Sequence, residues 1–97
     1  MNRQDILKLL AEHRSEIASR FDVASLALFG SIARDEAVAE SDVDILVTFV
    51  QAPGIFGFLE LKAFLEDLLD CPVDLVTENA LKKQFREQIL QEALHAV

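Results

Sequence analysis

A chain of 97 residues with 17 acids against 9 Lys and Arg, a net charge of −8, and only 3 Gly and 2 Pro reads as one domain spanning 1–97. Its 52% apolar content is that of a folding chain, not a disordered one. The charge excludes a general nucleic-acid binder, which neutralises phosphates with clustered Lys and Arg. It leaves phosphate chemistry run through bound cations, or a basic protein partner.

The first residues, Met1 to Asp5, lead into a charged amphipathic stretch and not into a signal segment. Ile6, Leu9, Leu10, His13, Ile17 and Phe21 recur at steps of three and four, which predicts one helix with His13 packed on or beside its apolar stripe. Val23–Phe29 is short, uncharged and stopped by Gly30, as a buried strand would be. A short helix-like turn is expected after it. Asp42–Val50 is rich in β-branched residues and predicts a second strand. Pro53 and Gly54 break the chain, and Leu61, Phe64, Leu65, Leu68 and Leu69 predict a helix over Phe58–Leu69. Asp70-Cys71-Pro72 ends that helix, and residues 72–76 predict a third strand. Asn79–Glu92 predicts a last helix, after which the tail continues the helix or adds a short edge strand. Strands alternating with helices argue for an α/β fold with one small sheet.

Cys71 is alone, so no internal disulfide forms; a reducing cytoplasm fits, and the thiol reads as a small buried hydrophobe. The longest uncharged run, Ile45–Leu59, contains Pro and Gly and is shorter than the ~18–20 residues of a membrane span, so a soluble protein is expected. The high apolar fraction is consistent either with a dense core or with an exposed patch that marks a partner surface.

Chemistry concentrates in one segment. Gly30-Ser31 ends a strand where a ligand could approach the backbone closely, and Ser31 offers a hydroxyl and an amide to an anion. Asp42 and Asp44 stand two apart at a strand start, so both carboxylates point to one face and Val43 to the other. Like charges held side by side are costly without compensation, which a hard divalent cation such as Mg²⁺ provides. Asp74 sits between Val73 and Leu75 in the other acid-bearing strand. If the two strands are neighbours, Asp74 joins Asp42 and Asp44, and three carboxylates can hold two metals about 3.5–4 Å apart.

Gly30-Ser31, ten residues, then Asp42-Val43-Asp44 and later Val73-Asp74-Leu75 resembles the nucleotidyltransferase superfamily that includes polymerase beta. The string GSIARDEAVAESDVDILV is similar to the minimal nucleotidyltransferases, often encoded beside a HEPN-domain partner as antitoxin and toxin. The resemblance implies a mixed sheet of three to four strands with helices. It implies phosphate binding at Gly30, Ser31 and Arg34, metal ligation by Asp42, Asp44 and Asp74, and acceptance of the attacking hydroxyl's proton at Asp74. The cofactor implied is Mg²⁺, as two ions, with ATP as substrate. Asp35 departs from the Gly of many relatives and puts a negative charge near the phosphate turn. A chain of 97 residues leaves no room for the helical domain of larger relatives, so base recognition is expected to be shallow or completed by a partner.

No Walker A loop, Gly-x-Gly-x-x-Gly or Cys/His metal spacing occurs. The resemblance implies transfer of AMP from ATP to a hydroxyl side chain of a HEPN ribonuclease toxin, inactivating it. The alternative is a non-catalytic antitoxin that masks the toxin by binding. Direct nucleic-acid or membrane binding is not expected, and homo-oligomerisation is left open.

Overall fold

The structure, a computed structural model, describes residues 3–30, 43–77 and the backbone of 94–95. The predicted turn-helix after Gly30 and the predicted helix over 79–92 lie outside the described residues. Helices α1 (Arg3–Glu12) and α2 (Arg14–Phe21) precede strand β1 (Val23–Phe29); then come β2 (Val43–Phe49), α3 (Ile55–Leu69), β3 (Val73–Thr77) and the two-residue β4 (Leu94–His95).

The single N-terminal helix predicted from periodicity is two helices. The break falls at His13, whose Nδ1–H turns back to donate to the Leu9 carbonyl at 2.9 Å. The backbone leaves helical angles there, with φ of −105° and ψ of 13°, although the His13 amide still donates to the Leu9 carbonyl and the His13 carbonyl accepts from Ile17. The apolar stripe nevertheless runs on across the break, because Ile6, Leu10, Ile17 and Phe21 are all buried together. His13 is half-buried.

Helix α3 starts at Ile55, three residues before the predicted start, directly after an extended Gly54. The missed turn carries Ile55 and Phe56, which face solvent at 65% and 80% exposure and so add nothing to the apolar stripe. That stripe is Leu61, Leu65 and Leu69, spaced by four and buried. Phe64 meets the Phe21 ring at 5.3 Å in a tilted pair, tying α3 to α2. Cys71 is half-buried, where the sequence predicts it buried, and packs against the core.

The strands form one mixed sheet in the order β3-β2-β1-β4. β1 pairs antiparallel with β2 and with β4, and β2 pairs parallel with β3. The α/β class and the mixed sheet expected from the sequence are thus present, and the tail takes its edge-strand form. Parallel pairing of β2 with β3 requires a crossover, which α3 supplies.

Alternation gives the sheet two distinct faces. Val23, Leu26, Leu28, Val43, Ile45, Val47, Val73 and Leu75 turn to the three helices and join the main core. Ala27, Phe29 and Leu46 form a second buried cluster on the opposite face.

Asp22 and Asp70, which follow α2 and α3, both adopt the left-handed conformation, with φ of 55° and 54°. Glycine is the residue without a steric penalty there. Asp70→Gly is expected to stabilise the fold by about 0.5–1 kcal/mol. The check is a thermal melt, where a rise of a few degrees is expected; an unchanged or lowered midpoint contradicts it.

Candidate active site

The row of residues that ends the second face is the chemical one. The antiparallel register sets Phe29 opposite Asp44, and the parallel register sets Asp44 beside Asp74. Neighbouring strands lie about 4.8 Å apart, so two carboxylates at paired positions leave the sheet side by side. The condition attached to the sequence expectation, that the two acid-bearing strands are neighbours, holds. Asp42, Ser31 and Arg34 lie outside the described residues, so the structure brings together Gly30, Asp44 and Asp74 of the six predicted site positions.

The two acids are less buried than an Asp inside an apolar strand suggests. Asp44 is half-buried and Asp74 is exposed. Both stand at the first turn of the pleat, on the face turned away from α1, α2 and α3, where the helices that bury Val43 and Val73 do not reach them. The strand's apolar content belongs to the other face.

Gly30 completes the arrangement. Its φ is +70°, and a Cβ placed on it would overlap the Asp44 carboxylate Oδ2 and stand 3.2 Å from Cγ. Only glycine satisfies both the backbone angle and the space. The turn after β1 therefore lies directly against the first acid of the pair. The sequence reading assigns Gly30 to close ligand approach; the structure adds that Asp44 itself occupies the space a side chain would need.

Two hydrogen bonds hold the acid-bearing strand starts together. The Val43 amide donates to the Pro72 carbonyl at 3.0 Å, joining β2 to the residue that opens β3. The Val73 amide donates to Glu66 Oε2 of α3 at 3.0 Å. The sequence reading treats Glu66 only as one of the charges between the apolar positions of the helix. Its position seven residues before a strand-opening residue, across a three-residue turn, is the one signal that could have singled it out.

Two adjacent carboxylates are the donor chemistry of a hard divalent cation, and the pair fits Mg²⁺ on that ground. No group of three potential metal ligands occurs among the described residues.

A cavity of about 520 Å³ lies elsewhere among the described residues. Val47, Thr48, Phe49, Pro53, Ile55 and Phe58 line it at the far end of β2. Four residues of strand, roughly 13 Å, separate Asp44 from Thr48. Beside it stand Val50, Ile55, Phe56 and Leu59, the large exposed hydrophobics among the described residues. Thus the described residues carry both a buried core and large hydrophobics left exposed. No described helix is long and apolar enough to cross a membrane.

The profile of the Nucleotidyltransferase domain family matches residues 10–96. The chain is similar to the protein adenylyltransferase MntA of Thermococcus cleftensis, at 40% identity over 92 residues, covering 95% of this chain and 93% of that protein. It superposes on a solved structure assigned as a minimal nucleotidyltransferase with a TM-score of 0.82 at 36% identity, covering 97% of this chain and 95% of the other. It also resembles a chain of a toxin–antitoxin structure with AMP-PNP, at a TM-score of 0.71 and 27% identity, covering 100% of this chain and 73% of that one. A fold likeness at 20% identity and a TM-score of 0.65, covering 94% of this chain and 71% of the other, extends to a complex of a tri-AMPylated Shewanella oneidensis HEPN toxin with its MNT antitoxin.

Proposed function

Because the chain belongs to the nucleotidyltransferase domain family, we propose that it is the antitoxin of a toxin–antitoxin pair and transfers AMP from ATP to a hydroxyl side chain of a HEPN-type protein. The observation that carries this reading is the pairing of Asp44 with Asp74 on neighbouring strands, with Gly30 set against Asp44. The names of its relatives, a protein adenylyltransferase and toxin–antitoxin complexes with AMP-PNP or an AMPylated toxin, support the substrate class.

In this reading Asp44 and Asp74, with Asp42, hold Mg²⁺. When bound, that ion offsets the phosphate charge that builds up as the α-phosphorus is attacked. Gly30, Ser31 and Arg34 receive the phosphates. The acceptor hydroxyl oxygen forms a bond to the α-phosphorus, the bond to pyrophosphate breaks, and pyrophosphate leaves with the electron pair. Asp74 takes the hydroxyl proton. Its exposure suits that role, since a side chain on a folded partner can reach it from solvent. Catalysis is then positioning and electrostatics, without a covalent enzyme intermediate.

The exposure of the large hydrophobics Val50, Ile55, Phe56 and Leu59 favours a second reading, in which stable binding alone masks the partner. The two readings separate in one experiment. The protein is incubated with ATP, Mg²⁺ and the product of the neighbouring gene, and the partner is weighed, freed of antitoxin and assayed for RNA cleavage. A gain of whole AMP units with persistent loss of cleavage is expected, because a new phosphate anion repels RNA. An unchanged mass with full recovery of cleavage overturns transfer and leaves masking.

A further inference from the structure

We infer that Glu66 is a positioning residue of the site: its carboxylate fixes the start of β3 so that Asp74 stands beside Asp44.

β3 is the edge of the described sheet, paired only with β2. An edge strand leaves every second amide without a strand partner. The Val73 amide is one of these. Its neighbour, the Pro72 carbonyl, already faces β2 and accepts from Val43, so the Val73 amide points the other way, where Glu66 Oε2 accepts it at 3.0 Å. The Val73 side chain is buried at 3% exposure, which limits replacement of the carboxylate by water.

Asp74 is the next residue. It is itself exposed, so packing of its own side chain does not fix its position. Its placement comes from its backbone, held on one edge by β2 and on the other by Glu66. Glu66 in turn sits on the rigid part of α3, one residue from buried Leu65 and three from buried Leu69. The chain thus ties an exposed acid to the core through a hydrogen bond to a side-chain oxygen. Groups hydrogen-bonded directly to a metal ligand are worth about 10–100-fold in metal affinity, and Glu66, acting one residue away, is expected near the lower end.

This inference rests on the reading of Asp44 and Asp74 as a cation-holding pair, and the test separates the two. Mn²⁺ is titrated into the wild-type protein and into Glu66→Ala, Glu66→Gln and Asp74→Asn, with the free ion read by electron paramagnetic resonance. Amide exchange at Val73 is followed by NMR in the same samples. Glu66→Ala is expected to weaken Mn²⁺ by about tenfold or more and to speed exchange at Val73 selectively, while Leu26, Ile45 and Leu65 in the core keep their protection. Glu66→Gln keeps the accepting oxygen and loses the charge, so it is expected to stay within about threefold of wild type, which removes long-range charge as the cause.

Wild-type Mn²⁺ affinity in Glu66→Ala, with Asp74→Asn weakened, overturns the positioning role. A Gln variant as weak as Ala overturns it too, as does loss of protection spread evenly over the core. An unchanged affinity in Asp74→Asn overturns the acid pair itself.

Discussion

Asp44→Asn is expected to lower AMP transfer by about 10²–10³-fold while the chain keeps its fold. Removing one member of a preorganised charge site typically costs about 3–4 kcal/mol in the transition state, and each 1.36 kcal/mol is tenfold in rate. Asp44 is the acid that both neighbours address: Gly30 is shaped around it and Asp74 is registered beside it. The fold has little to lose, since Asp44 is half-buried on the face away from the helices and contributes nothing to the main core. A stability change within about 1 kcal/mol is therefore expected, as for a substitution outside the core. Single-turnover transfer onto the partner and a thermal melt are the paired measurements. Transfer within tenfold of wild type at an unchanged melt removes Asp44 from the site.

Gly30→Ala is expected to damage both stability and activity, through two separable causes. A residue with a Cβ at φ of +70° carries a penalty of about 1–2 kcal/mol. The same Cβ would overlap the Asp44 carboxylate, so the acid must turn out of the pair or the backbone must move. Together these are expected to cost about 2 kcal/mol or more and roughly 10²-fold or more in transfer. Gly30→Asn separates them, since Asn tolerates the left-handed region but still carries a Cβ. It is expected to recover part of the stability and none of the activity. The double variant Gly30→Ala with Asp44→Ala is expected to lose less stability than the sum of the singles, because the clashing group is gone. Strict additivity would show that the backbone angle alone explains the glycine.

Which of this was readable in the sequence follows from how each signal is encoded. Strand β2 was legible to within a residue at each end, because Val43, Ile45 and Val47 alternate with residues of the other face. The register of Asp44 against Asp74 was legible only as a condition, since no periodicity states which strands are neighbours. Parallel pairing across α3 decides it. The break at His13 was invisible, because the apolar stripe ignores it and it consists of one residue's backbone angles, which no spacing of apolar residues records. The first turn of α3 was missed because its large residues face solvent, where amphipathic periodicity has no voice. Glu66 carries only a weak positional mark, since its meaning depends on a strand amide that reaches it after α3 turns back through Asp70, Cys71 and Pro72.

The alternation of β2 has a consequence for how the site can fail. Sliding β2 by one residue along β3 would move Asp44 to the helix side and lift Val43, Ile45 and Val47, now exposed by 5%, 0% and 1%, out of the core. Exposing an aliphatic side chain of that size costs about 1.5–3 kcal/mol, so three cost roughly 5–9 kcal/mol. That is comparable to the whole stability of a typical small domain, about 5–15 kcal/mol. A misaligned but folded chain is therefore a scarcely populated species. The acids cannot drift apart gradually by strand sliding; that route to losing the pair comes close to losing the fold, and fidelity of alignment is inherited from the oily side of the same strand.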